Sequence, residues 1–252
     1  MNLDEVRKRL DRLNSGGRST KGTSDYKTKF WKPKEGEKAI VRIVPYTHDK
    51  DFPFTELSFY FGIDKPRMIS LVNFEESDPI LEFATQLRKT GDEDNKLLAK
   101  KLYPKMRYFA PVLVRGEEDK GVRFWEFGKI VYSELLGVMA DDDYGDITDI
   151  ISGRDVAVEM TKESGKMYPT TTVRVKPKQT PLSEDEASLK TYLEGQMNIT
   201  EFYTKHSYED MKESLRKYIE SNSDGDSVVE SEPKTSYKGN KATTEKIDKL
   251  FD

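Results

Sequence analysis

The sequence predicts a mixed α+β fold, mainly β with flanking helices, on three observations. Runs rich in β-branched and aromatic residues recur from Lys38 to Lys176, several of them alternating as half-buried strands do. Residues 78–101 and 129–139 switch to a helical period, and two further helices open at capping patterns after Leu182. Polar turns containing glycine separate the strands.

Residues 1–14, MNLDEVRKRLDRLN, place Leu3, Val6, Leu10 and Leu13 at helical spacing opposite Arg7, Lys8, Arg9 and Arg12. Isolated helices below ~12–15 residues rarely hold in water, so this basic segment is expected to fold on a partner or a neighbouring copy. The following SGGRSTKGTSDYKTK is polar and reads as a flexible arm. Residues 1–25 are thus an expected basic arm ahead of a core at 26–220. KAIVRIVPY (38–46) is a β-favouring run, and FTELSFYFGI (54–63) with PRMISLVNF (66–74) reads as a strand pair. The helical stretch 78–101 breaks at Thr90-Gly91-Asp92. Two strands at 104–115 and 121–129 flank the turn-like RGEEDKG, and KIVYSELLGVM (129–139) reads as a helix. RDVAVEMTK (154–162) and KMYPTTTVRVK (166–176) form an expected hairpin around Glu163-Ser164-Gly165. Ser183 to Glu186 is a capping-box pattern opening a helix through Leu189, Leu193 and Met197, and Ser207-Tyr208-Glu209-Asp210 opens another through Leu215 and Ile219. Beyond Glu220 the apolar period is lost, and residues 221–252 are expected to be a disordered, acidic-leaning tail. Five or six strands interrupted by helices are compatible with an elaborated barrel of the OB type, whose strand face binds oligonucleotides.

The stretch PKMRYFAPVLVRG (104–116) carries the functional signal. Met106, Tyr108, Ala110 and Val112 alternate against Arg107, Phe109 and Pro111, so one face sets a cation beside a ring. Such a face suits single-stranded nucleic acid, because cations track phosphates while rings stack on bases. The neighbouring strand adds Arg123, Phe124, Trp125 and Lys129. Lys100, Lys101, Lys105, Arg107, Arg123 and Lys129 form the expected phosphate path, with Tyr108, Phe109 and Trp125 stacking on bases. The bland alternative is a core hairpin whose cations snorkel to the surface.

Charge and composition narrow the classes. The net charge of -4 hides a segregation: residues 1–50 hold 13 basic and 7 acidic side chains, residues 96–129 hold 9 and 4, and residues 182–252 hold 10 and 16. The absence of cysteine excludes disulfides, a thiolate nucleophile and Cys-ligated metals. His48 and His206 are the only histidines, too few for a His-rich metal site, which leaves a magnesium-carboxylate site as the remaining metal option. Asp141-Asp142-Asp143 with Asp146 and Asp149 reads as a solvated acidic loop, because adjacent Asp side chains diverge and no basic catalytic partner is recognisable. GxxxxGK[ST] and GxGxxG phosphate-binding patterns are missing, so no cofactor and no enzymatic activity are expected. No secretory signal or long apolar run occurs, so a soluble protein inside the cell is expected, with no membrane partner.

Taken in order, FWKPKEGEKAIVRIVPY (30–46), RYFAPVLV (107–114), the FGK that follows Trp125-Glu126, LEGQMNITEF (193–202) and SYEDMKESLRKY (207–218) resemble the helix-destabilising single-stranded-DNA-binding proteins of T-even-type bacteriophages. The resemblance implies an OB-fold core that binds single-stranded DNA without sequence preference and without catalysis. It also implies an N-terminal arm for self-association along the strand and an acidic tail that recruits replication and recombination proteins. The setting implied is the cytoplasm of the infected bacterial host. Tyr108, Phe109 and Trp125 correspond by position to cleft aromatics of that family, Arg42 to an arginine after the first strand's apolar pair, and Tyr168 falls near a further cleft tyrosine. Familiar members hold a structural zinc through one His and three Cys, whereas SFYFGIDKPRMISLVNFEESDPILEF (58–83) has neither residue type. Phe59, Phe61, Ile69, Leu71, Val72 and Ile80 are expected to replace that clamp with a small apolar core. The tail also departs from the pattern, with 7 acids against 5 lysines in residues 221–252. An RNA-binding regulator and a protein-binding scaffold remain open alternatives on the sequence alone.

Overall fold

A computed structural model describes residues 28–49, 51–162 and 164–223. The basic arm with Arg7, Lys8, Arg9 and Arg12, and the tail from 224 onward, lie outside the described residues.

The strands are β1 (Phe30–Trp31), β2 (Lys38–Ile43), β3 (Thr55–Ile63), β4 (Lys65–Ile69), β5 (Lys105–Val114), β6 (Arg123–Phe127), β7 (Arg154–Thr161) and β8 (Thr170–Gln179). The helices are α1 (Pro79–Lys89), α2 (Glu93–Leu102), α3 (Lys129–Met139), α4 (Glu186–Glu194) and α5 (Tyr208–Ser223). The pairing order is β1-β6-β5-β2-β7-β8, with β3 joined to β5 and β4 to β3. The mixed α+β class is therefore established. Pairings among the described residues do not close a barrel.

The chain forms two compact units. One takes the described residues through Pro53, then Ala110–Glu126 and Glu134–Asn198. The other takes Phe54–Phe109, Phe127–Ser133 and the described residues from Ile199 onward.

In the first unit β2 is the central strand, with Val41 opposite both Val114 of β5 and Val156 of β7. Such cross-strand β-branched pairs are the units of sheet stability. Val44, Leu113 and Leu182 form a buried cluster against which Leu189 and Leu193 of α4 pack. The helix starts later than the Ser183 capping box implies: Asp185 is its cap, accepting from the Ser188 amide at 2.8 Å, and it ends at Gly195. Strand β8 runs past Lys176 to Gln179, and the β7–β8 hairpin is wider than a turn at 163–165. The two-residue β1, parallel to β6, was too short to show in a periodicity.

In the second unit Tyr60 and Met68 face one another across β3 and β4, and their side turns toward α1, α2 and α5. Ile80, Phe83 and Leu87 repeat at helical spacing on α1, as do Met211, Leu215 and Ile219 on α5, and all are buried. Burying each such side chain contributes roughly 1.5–3 kcal/mol. The expected capping pattern of α5 is present: Ser207 Oγ accepts from the Asp210 amide at 3.1 Å while Asp210 accepts from the Ser207 amide at 3.3 Å.

One buried carboxylate ties this unit together. Asp78 caps α1, accepting from the amides of Ile80 and Leu81, both at 3.1 Å, with Pro79 at the first helical position. The same carboxylate accepts from Tyr60 Oη at 2.8 Å, Ser70 Oγ at 2.6 Å and the Leu71 amide at 3.0 Å. Strand, turn and helix thus converge on one acceptor pair. Burial and this neighbouring carboxylate push the Tyr60 hydroxyl pKa upward, so it stays a neutral donor. The expected apolar replacement for a zinc clamp is only partly realised: Phe59, Ile69, Leu71 and Ile80 are buried, but Val72 is 45% exposed and Phe61 half-exposed. Residues 58–83 contain no His or Cys, and their buried acid has five donors already, so this segment does not fit a zinc ion.

Replacing Asp78 by Ala should strand the Tyr60 and Ser70 hydroxyls in the core and cost roughly 2–5 kcal/mol, read as a lower urea midpoint at unchanged slope.

Candidate nucleic-acid interface

The register of the second unit's sheet decides which side chains share a surface. Phe59 lies opposite Ile69 and Lys105, Phe61 opposite Arg67, and Leu57 opposite Arg107. Paired residues in antiparallel strands point to the same side, so Phe59, Phe61, Arg67, Lys105, Arg107 and Phe109 occupy one face. No acidic residue stands at these positions. The opposite face carries Glu56, Tyr60, Met68 and Tyr108.

The cationic face has an aromatic floor. Phe59 and Phe109 are fully buried with ring centroids 6.1 Å apart, and Tyr203 packs over Phe59 at 4.8 Å. The Arg67 guanidinium lies 3.7 Å from the Phe59 centroid and 5.0 Å from that of Tyr203. The rings hold this guanidinium in one orientation, with its Nε and Nη2 buried. The half-exposed Phe61 ring lies 5.5 Å from the guanidinium carbons of both Arg67 and Arg107. Lys105 is exposed beside them, and Arg107 reaches to Gly128, where a Cβ would sit 3.7 Å from Nη1, one residue before the exposed Lys129. Cationic side chains and one half-buried ring therefore coincide.

The other expected site residues fall elsewhere. Lys100 and Lys101 are exposed in the last turn of α2, where they also complement the helix dipole. Tyr108 is on the opposite face from Arg107, 8% exposed, its ring stacked 3.9 Å from that of Tyr132. The Tyr132 hydroxyl donates to Glu56 at 2.6 Å, and burial with that carboxylate raises its pKa. With one side of its ring already stacked, Tyr108 is a packing residue in this state. Phe109 serves as floor rather than as a stacking platform, being 1% exposed.

Three expectations in the first unit are corrected by burial. Arg42 is completely buried, its Nε donating to Asp155 at 3.0 Å and its Nη2 to the Thr180 carbonyl at 2.8 Å. Arg115 shares Asp155 at 3.1 Å. The Arg42 socket explains Gly153: a Cβ there would lie 2.3 Å from the Asp149 carbonyl and 3.0 Å from Arg42 Nη1. Arg123 is 8% exposed and paired to Glu117 at 2.6 Å, which holds that carboxyl below its ordinary range. Trp125 is 1% exposed, edge-on to Trp31 at 5.6 Å because β1 covers it. Neither Arg42 nor Trp125 can touch a strand without unfolding its surroundings. Tyr168, by contrast, is 63% exposed in the β7–β8 connection.

Sequence reasoning gave Phe61 a place in the core that replaces the zinc clamp and passed over Arg67 and Tyr203. The available signal was the pairing of FYF (59–61) with PRM (66–68), which sets Arg67 across from Phe61 once the hairpin register is known.

A family model described as gp32 DNA-binding protein-like matches residues 34–222. The chain belongs to this gp32-like family. That match covers both units' described strands from β2 onward and most of α5. No curated protein matches the chain. Membership in a family of DNA-binding proteins agrees with a binding rather than catalytic surface. Among the described residues no cluster of His, Cys, Asp or Glu is arranged to hold a metal, and no helix is long and apolar enough to cross a membrane.

Replacing Arg42 by Ala should lower stability by about 1–3 kcal/mol, because the Gly153 and Thr180 carbonyls lose their buried donor while Asp155 keeps Arg115. Oligonucleotide affinity of the folded fraction should not change, which urea melts and a binding titration separate. A pH effect is expected at the edge of the face. His206 lies 3.4 Å from Lys65 Nζ, and burial together with that ammonium lowers its pKa, against the smaller opposing pull of Asp210 and Asp64. A depressed imidazole contributes stability that is present above its unfolded value of about 6.5 and lost as pH falls through the folded one. Urea melts at pH 7.5 and pH 5 should show that loss shrinking in His206→Gln.

Proposed function

We propose that this gp32-like chain binds single-stranded DNA non-catalytically and without sequence preference, gripping it on the face built by β3, β4 and β5. The observation that carries the reading is the same-face set of Arg67, Lys105 and Arg107 around the half-buried Phe61. Cations neutralise successive phosphates while a ring accepts whichever base lies over it, since every base has a flat face. Lys129, one residue beyond Gly128, extends the positive surface. Strand capture then shifts duplex melting by mass action, as any ligand of one state does.

The wider reading follows the same line. The path β1-β6-β5-β2-β7-β8 is compatible with an elaborated OB core, and residues 26–220 serve as the binding core. Residues 1–25 act as the arm through which neighbouring copies associate on one strand. The tail from 221 recruits proteins of replication, recombination and repair in the infected cell.

Phe61→Ala should weaken oligo(dT) binding by about 1–3 kcal/mol with little change in salt slope. Lys105→Ala should instead reduce the slope of log K against log salt by about 0.7, the value for one single-strand phosphate contact. Unchanged affinity and slope in both variants would remove this face as the binding surface, and a preference for oligo(U) would redirect the reading to RNA.

A further inference from the structure

Strand β8 ends the pairing order of the first unit, and its far edge meets no other strand among the described residues. The direction of its backbone groups follows from β7. The Gly36 amide, just ahead of β2, donates to the Met160 carbonyl at 2.8 Å. In an antiparallel ladder the N–H and C=O of one residue point to the same side and alternate along the strand, so Met160, Val158 and Val156 bond toward β2 while Glu159 and Ala157 bond toward β8. Their partners Thr172 and Arg174 bond back. The backbone groups of Thr171, Val173 and Val175 are therefore directed outward.

An open edge is a template for a further strand, and chains commonly blunt it with lysine and proline. β8 is blunted over Lys176-Pro177-Lys178, where Arg154 also donates to the Pro177 carbonyl. Residues 170–175 keep a bare edge, and all but Arg174 are β-branched. It is this bare part that lines a groove of about 410 Å³ against the second half of α3. The floor is apolar, with Leu135 and Val175 buried and Val138 and Val173 half-buried. Gly137 is exposed on the helix wall, has no left-handed backbone, and a Cβ there would meet nothing within 4 Å. Glycine is unfavourable in a helix relative to alanine, so what it contributes here is width between helix and strand edge.

Glu134 and Asp141 stand on the same wall, and the exposed Asp142 and Asp143 continue the negative charge. Arg174, the cation among the lining residues, belongs by alternation to the opposite sheet face. Edge, floor and acidic wall together define the occupant. We propose that β8 and α3 form a strand-addition site for an extended segment of another protein, with apolar residues at alternate positions and lysine or arginine at either end. The segment's main chain bonds to Thr171, Val173 and Val175, and its apolar side chains rest on the floor. Seven residues of helix rise by about 10 Å. Four steps of strand cover about 13 Å, so cations four apart reach both Glu134 and Asp141.

The test uses the full chain and the end-capped peptide Lys-Val-Thr-Val-Lys. Amide hydrogen exchange should be fast at Thr171, Val173 and Val175 in the free chain and slow with the peptide at about 1 mM. The same peptide methylated on its backbone nitrogens should give no slowing, since its charges remain and its donors are gone. Gly137→Leu narrows the groove and should weaken peptide binding roughly tenfold or more, with exchange elsewhere in the chain unchanged. Should that variant fail to fold, Glu134→Lys with Asp141→Lys reads the same contact by switching the preference to Glu-Val-Thr-Val-Glu. Full binding of the methylated peptide, or of the first peptide to a folded Gly137→Leu chain, overturns the proposal. So does an absence of slowing at about 1 mM peptide. Slow exchange of those three amides before any peptide is added overturns it too, because the chain itself or a second copy then already covers the edge.

Discussion

The antiparallel register of β3, β4 and β5 is the constraint on which the cationic, aromatic face depends. Side chains alternate across a strand, so once Tyr60 and Met68 are committed to the helices, Phe61, Arg67 and Arg107 have no choice but the other side. A slip of one residue would bury the arginines and expose Tyr60. Asp78 guards against this, because its bond to the Tyr60 hydroxyl forms only in the observed register. A carboxylate far from the cationic face thereby fixes the composition of that face.

The cations of this chain divide into two kinds by what surrounds them. Arg42, Arg115 and Arg123 spend their charge on Asp155 and Glu117 inside the first unit, where they hold loops and strand ends together. Arg67 and Arg107 also lie against aromatic rings, Arg67 over Phe59 and Arg107 near Phe61. An arginine in a buried ion pair has its charge compensated, and losing its partner would cost several kcal/mol.

Much of the architecture was legible from periodicity. The bounds of α3 agree with the sequence reading, and the break at Thr90-Gly91-Asp92 separates α1 from α2. The alternation in 104–116 correctly put Arg107 with Phe109 and opposite Tyr108. Alternation, however, says only which residues share a side, not what covers it. Trp125 was expected in the open because nothing in the sequence announces that two residues of β1 lie along β6. Arg42 had a readable warning: a lone cation inside IVRIV, where both neighbours are buried, is more economically a paired core residue than a surface one. The meeting of Phe61 with Arg67 was missed because it depends on a hairpin register that composition cannot give.

The pairing of Trp31 with Trp125 determines which optical signals this protein offers. These are its only tryptophans, both are buried, and both belong to the first unit. Intrinsic indole emission is therefore a gauge of whether that unit remains intact, whereas the proposed surface of phenylalanine and arginine in the second unit carries no tryptophan of its own. A reporter for the loaded strand has to be carried by the nucleic acid itself.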